Sequence, residues 1–133
     1  MLALDEAITL DHTLRDLVRL RASQLNSCAY CIDVHWKSAR GRGETDERLY
    51  MLGAWRQSSF YTERERAALE LCEAMTLIID RGVPDALWDD VAARFDEVEL
   101  SQLVFAIAAI NSWNRLSIAA GTDPGSTRCF STT

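Results

Sequence analysis

The stretch Cys28-Ala29-Tyr30-Cys31-Ile32-Asp33-Val34-His35 holds two cysteines three positions apart, with a histidine four positions after the second. On a helix, spacings of three and four bring side chains to one face. Three chemistries compete for such a set. Two thiols at this spacing can close a disulfide within the motif, one sulfur attacking and the other resolving. Near a helix start, unpaired N–H groups favour negative charge, lower a thiol pKa and promote the thiolate. His35 on the same face can accept or return a proton, directly or through water. A metal site has less behind it. Structural zinc takes four ligands, the motif offers three, and His12, Cys72 and Cys129 are scattered along the chain. The third reading is a pair of buried cysteines packed as small hydrophobes, which leaves the histidine on their face unexplained. Dithiol redox chemistry ranks first, a metal second and inert core third. No metal and no organic cofactor is expected.

The elements that must hold this motif read as helices throughout, because no stretch sustains period-two alternation with β-branched enrichment. A first helix is predicted from about Asp5 to Ser23, with Leu10, Leu14, Leu17, Val18 and Leu25 as its stripe. The second opens near Asn26-Ser27, placed to cap its free N–H groups, carries the cysteines, and fades at Gly41 and Gly43. Thr45 caps a short third helix with Leu49, Met51 and Leu52. Thr62 with Glu65 forms a capping box before a stripe of Ala68, Leu71, Cys72, Met75 and Ile79, stopped at Arg81-Gly82. Pro84 fits the first turn of a helix carrying Leu87, Trp88, Val91 and Phe95. Asp96 and Glu99 start the last helix, which runs to about Ala120 and is apolar nearly all round from Leu103 to Ile110. The expected fold class is therefore all-α, about six helices in one domain spanning 1–133, with a mobile loop-like tail from about Gly121.

Composition narrows the function. A chain of 133 residues buries enough surface to fold without staples. Its net charge of −6 argues against a broad grip on nucleic acid or anionic lipid, although Arg15, Arg19 and Arg21 crowd one segment. The N-terminus carries Asp5 and Glu6 and lacks a basic n-region, so no signal peptide is expected. The longest apolar run, Leu103–Ile110, is too short to span a bilayer. A cytoplasmic location follows as the expectation. There, thiols stay reduced and disulfides are catalytic or transient.

The run LRDLVRLRASQLNSCAYCIDVHWKSAR resembles the core of the AhpD-like alkylhydroperoxidases, within the carboxymuconolactone decarboxylase superfamily. WRQSSFYTERERAALE and INSWNRLSIA resemble two further segments of its small single-domain members, so the likeness runs from about Leu14 to Ala119. It implies a compact helical AhpD-like fold and a thiol-dependent hydroperoxide reductase. Carried over by position, Cys31 attacks the peroxide. Cys28, the more exposed thiol, resolves the sulfenic acid and meets the reductant. His35 belongs to a proton relay whose acidic member is Asp16, twelve residues before Cys28, where the family usually has glutamate. Tyr30 stands where AhpD itself has another histidine, so one proton-transfer group is missing. The resemblance also implies a peroxide substrate, a lipoyl-type or thioredoxin-like dithiol reductant, and a homo-oligomer, trimer or hexamer. The apolar last helix and Trp36, Trp55, Phe60 and Trp113 favour an oligomer too.

Other residues carry plainer expectations. His12 reads as a partly exposed helical histidine, Cys72 as core, and Cys129 as a tail thiol without an activating neighbour. Glu63-Arg64-Glu65-Arg66 reads as a solvated first turn. Trp113, Asn114 and Arg115 read as structural, with Arg115 facing a buried acid. Gln24 stands one turn before Cys28, placed to hydrogen-bond near the thiols. Two other functions compete with the reductase: a redox-sensing dithiol protein without efficient turnover, and a lactone decarboxylase of the same superfamily, whose members generally lack the Cys-x-x-Cys motif.

Overall fold

A computed structural model describes residues 2–125, and Cys129 and the end of the expected tail lie outside them. Among the described residues there are eight α-helices and one 3-10 helix, with no strand. The helices are α1 Leu2–Ala7, α2 His12–Leu25, α3 Ala29–Gly41, α4 Asp46–Tyr50, α5 Glu63–Thr76, α6 Ile78–Arg81, α7 Asp85–Arg94 and α8 Glu97–Ala119. The 3-10 helix, Leu52–Gln57, follows α4.

α2 is the centre of the fold because it is apolar on two faces. Leu14, Val18 and Ala22, spaced by four, join a core with Ala68, Leu71, Val91, Leu103, Ile107 and Ile110 from α5, α7 and α8. Leu17 and Leu20 point into a second core with Ala39, Leu49, Leu52, Trp55 and Leu69. Each such leucine, fully buried, contributes roughly 1.5–3 kcal/mol. α2 is therefore fixed against α3, α5 and α8 at once, and whatever its two ends carry is rigidly placed.

The starts of α4, α5 and α8 follow the local chemistry. Thr45 accepts from Arg48 N–H, and both Thr62/Glu65 and Asp96/Glu99 form complete capping boxes. Two expected helices are instead broken. The first divides into α1 and α2, since Asp11 leaves the helical region and caps α2 by accepting from Leu14 N–H. The α5 stripe ends at Thr76, and Ile79, on the separate turn α6, is 93 % exposed rather than buried. α8 is buried at Leu103, Ala106, Ile107 and Ile110, but Phe105 is 51 % exposed, so the helix is one-sided rather than enclosed. Of the Glu63–Arg66 run only Glu63 is solvated as expected. Glu65 is buried against Arg48, Arg66 donates to the carbonyls of Trp55 and Ser58, and Arg64 bonds Glu99. Those charges tie the 3-10 helix and α8 to the start of α5.

Candidate active site

The turn between α2 and α3 builds the site. Asn26 is the C-cap of α2, and Ser27 takes the left-handed conformation at φ 56°. Ser27 N–H then donates to Gln24 O at 3.1 Å and Cys28 N–H to Ser23 O at 3.0 Å. This pair of bonds is a Schellman closure, usually supplied with glycine at the left-handed position. Asn26 and Ser27 thus end the earlier helix and do not cap the later one. The N-cap of α3 is Cys28 itself, whose Sγ accepts from Cys31 N–H at 3.3 Å.

A buried amide network holds that turn from behind. Asn26 Nδ2 donates to Asn111 Oδ1 and Asn114 Oδ1, both at 2.9 Å, and Asn114 Nδ2 donates to Ser23 Oγ at 3.0 Å. Asn114 is fully buried, so these bonds replace water that cannot reach it. Arg115, expected to face a buried acid, bonds Asn111 on the exposed side. Gln24 accepts from Arg21 and takes no part near the thiols.

Cys28 and Cys31 form a disulfide with Cα atoms 5.3 Å apart. Their exposures are 2 % and 3 %, so Cys28 is not the more exposed of the two within one chain. The asymmetry lies elsewhere. A cavity of about 600 Å³ has Cys31 in its wall and not Cys28, together with Tyr30, Val34, His35 and Trp113. His35 follows Cys31 by one turn of α3 and shares this cavity.

The charges around His35 were not picked out from the sequence as part of the site. Arg15 and Arg19 come from α2 and Arg42 from just beyond α3, and all three line the same cavity. Burial, and then the positive charges of Arg19, Arg42 and Arg15, push the imidazole pKa down from 6.5 to about 3. His35 is therefore neutral at physiological pH and available as a proton acceptor. The sequence signal was the crowding of arginines on α2; the approach of Arg42 had none.

Asp16, the expected acidic relay member, is buried and close to this cluster, yet both its oxygens accept from Arg42, at 2.8 and 2.9 Å. Among the described residues no hydrogen bond joins it to His35. Arg42 lines both the His35 cavity and a neighbouring one that contains Asp16, so the guanidinium stands between the carboxylate and the His35 cavity. Its shorter reach than glutamate fits this indirect arrangement.

Cys72, buried like the pair, is a free thiol in the apolar core. It is fully buried, its thiol meets Val18 O at 3.4 Å, and burial pushes its pKa up to about 12. His12 is exposed and touches Arg15. Among the described residues no cluster of three or more His, Cys, Asp or Glu is arranged to hold a metal ion, and no helix is long and apolar enough to cross a membrane.

Comparison with known proteins identifies a family and a shared fold. The model of the carboxymuconolactone decarboxylase family matches residues 1–74. An uncharacterized Bacillus subtilis protein, YdfG, is 49% identical over 113 residues, covering 85% of this chain and 77% of its own. YnjA of Escherichia coli, also uncharacterized, is 34% identical over 110 residues, covering 83% of this chain and 60% of its own. Among solved structures, an Agrobacterium tumefaciens protein of unknown function, described as a candidate antioxidant defence protein AhpD, superposes with a TM-score of 0.89. It is 36% identical, over 92% of this chain and 86% of that one. A peroxidase-related protein from Silicibacter sp. TM1040 shares the fold, with a TM-score of 0.77 at 20% identity, over 87% of this chain and 61% of that one.

Proposed function

The chain belongs to the carboxymuconolactone decarboxylase family, and we propose that it is an AhpD-like, thiol-dependent hydroperoxide reductase. The observation that carries this reading is the Cys28–Cys31 pair at the start of α3, with a cavity that reaches Cys31 and His35. In the reduced protein the positive charges of Arg15, Arg19 and Arg42 favour the Cys31 thiolate, and His35, too weak a base to keep the thiol's proton, relays it. The thiolate attacks the terminal peroxide oxygen and the O–O bond breaks. The alkoxide leaves as alcohol, taking the proton relayed by His35, and Cys31 becomes sulfenic acid. Cys28 displaces its hydroxyl as water and closes the disulfide. An external dithiol, lipoyl-type or thioredoxin-like, then resets the pair by exchange.

The roles within the pair rest on position. Cys31 borders the cavity, which favours it as the sulfur that meets peroxide. Cys28 accepts a backbone N–H at the positive end of α3, which stabilises its thiolate for the attack on the Cys31 sulfenic acid. Asp16 holds Arg42, one of the charges beside His35. A homo-oligomer fits the exposed Val98, Phe105 and Ile118 of α8, and light scattering that reports a monomer at micromolar concentration would count against it.

A sulfenic-acid probe tests the mechanism. Cys28→Ser should form a sulfenic acid that persists, and Cys31→Ser should form none. The reverse pattern overturns the assignment of roles. Oxidation without repeated turnover under any dithiol makes the chain a redox switch instead.

A further inference from the structure

The chain carries a net charge of −6, yet the cavity beside Cys31 is lined by Arg15, Arg19, Lys37 and Arg42 against Asp5 and Glu6. Three of these four cations are already paired. Arg19 binds Asp5 at 3.0 Å, Lys37 binds Asp33 at 2.8 Å, and Arg42 binds Asp16. Arg15 is the exception. Its contacts are the His12 ring, at 2.6 Å, and the carbonyl of Ile8, at 3.5 Å, and it has no carboxylate partner among the described residues.

Two buried donors at this site also lack an acceptor, Arg15 Nε and Trp113 Nε1. Both residues line the cavity. A buried donor left unmade costs about 1–3 kcal/mol, and a small shift of either side chain would turn its donor towards an acceptor in the adjoining cavity. The guanidinium fork suits a carboxylate, whose two oxygens can take parallel bonds. The volume, about 600 Å³, is that of a site for a whole organic molecule rather than for hydrogen peroxide alone.

We propose that the cavity selects organic hydroperoxides that carry a carboxylate, with Arg15 as the specificity-determining anchor for that carboxylate. This rests on the reductase reading above and names its substrate class. The chemistry is unchanged: the peroxide accepts two electrons from Cys28 and Cys31, leaving as the corresponding hydroxy acid with one water. Arg15 takes no part in bond breaking. It fixes the distal end of the substrate so that the peroxide end faces Cys31 and His35. Asp5 and Glu6 on α1 disfavour a second negative charge at the cavity mouth, so a monoanion is preferred to a dianion.

The test compares a carboxylate-bearing alkyl hydroperoxide with its methyl ester, using dithiothreitol, a neutral reductant, to recycle the enzyme. The acid should show a KM about tenfold to a hundredfold below that of the ester, with similar kcat. Arg15→Gln should erase this difference by raising the KM of the acid relative to that of the ester, beyond any change in kcat that loss of its charge beside His35 makes for both substrates, and Arg15→Lys should restore part of it. Equal KM values for acid and ester in the unaltered protein, or equal losses for both in Arg15→Gln, overturn the proposal. Calorimetric titration with the product hydroxy acid separates the two readings. Binding that Arg15→Gln removes, without peroxide turnover, leaves the anion site standing and sinks the reductase. Turnover of the ester with no binding of the hydroxy acid does the opposite.

Discussion

Protonation of His35 can be tested without any substrate. The folded protein holds this imidazole pKa at about 3, through burial and the charges of Arg19, Arg42 and Arg15, whereas the unfolded chain restores about 6.5. Between those values the unfolded state binds a proton that the folded state refuses. Stability is therefore whole above pH 6.5 and falls as pH drops towards 3. At pH 4.5 the imidazole sits two units below its unfolded pKa, and at about 1.4 kcal/mol per unit the ceiling on the loss is about 2.7 kcal/mol. The ring is partly exposed, so solvent reduces this to roughly 1–2 kcal/mol. Urea unfolding of the oxidised protein at pH 7 and pH 4.5 measures the loss, and the same pair of curves for His35→Gln removes the share due to carboxylates. The unaltered protein should lose roughly 1–2 kcal/mol more than His35→Gln over this interval. Equal losses in the two proteins would show that His35 titrates normally, and the account of a neutral imidazole crowded by arginines would fail. Turnover should also fall ~10²–10⁴-fold in His35→Gln if the imidazole carries the proton.

Three further outcomes follow from the packing. Ser27→Gly should raise stability by about 0.5–1 kcal/mol in thermal unfolding, because relief of the left-handed conformation exceeds the added chain entropy; a loss would mean that the turn closes differently. Asn114→Ala should cost about 2–4 kcal/mol in urea unfolding, since Asn26 and Ser23 each lose a buried partner. It should also speed reduction of the disulfide by dithiothreitol, through a looser turn at Cys28, and an unchanged reduction rate would sever the network from the site. In peptide mapping after mild peroxide, Cys28 and Cys31 should interconvert while Cys72 stays unmodified; modification of Cys72 in folded protein would contradict its burial and its raised pKa.

Much of the fold was legible because capping is local. Thr45, Thr62 with Glu65, and Asp96 with Glu99 satisfy N–H groups within four residues of themselves, so the sequence states where those helices begin. The errors arose where a local signal was absent or ambiguous. A left-handed helix end normally shows itself as glycine, and here serine takes the position, so Asn26 and Ser27 read as a beginning rather than an end. Asp11 was a usable cap signal, but the apolar spacing of Leu10 and Leu14 ran across it. The solvated reading held for Glu63 but failed for Arg64, Glu65 and Arg66 because their partners, Glu99, Arg48, Trp55 and Ser58, come from other elements. In the site, Cys28, Cys31 and His35 share one helix and their adjacency was readable. The surroundings of His35 join α2, the segment after α3 and Trp113 of α8, and no local spacing encodes that meeting.

Cys28 performs two structural tasks besides any redox one. Its backbone N–H closes the last turn of α2 on Ser23, and its sulfur opens α3 by accepting from Cys31 N–H. The two tasks separate under substitution. Serine keeps the backbone bond and is itself among the preferred N-cap residues, so Cys28→Ser should retain both helix ends while removing the sulfur. Alanine keeps only the backbone bond and should cost about 1 kcal/mol in addition. Cys31 has no capping task. Its side chain is buried, one turn before His35 on α3 and lining the same cavity. A loss of peroxide turnover common to Cys28→Ser and Cys28→Ala, with the alanine variant alone less stable than the reduced protein, therefore assigns the turnover to the sulfur. If Cys28→Ser unfolds as readily as Cys28→Ala, the cap is not what the sulfur supplies, and the disulfide itself is holding the start of α3.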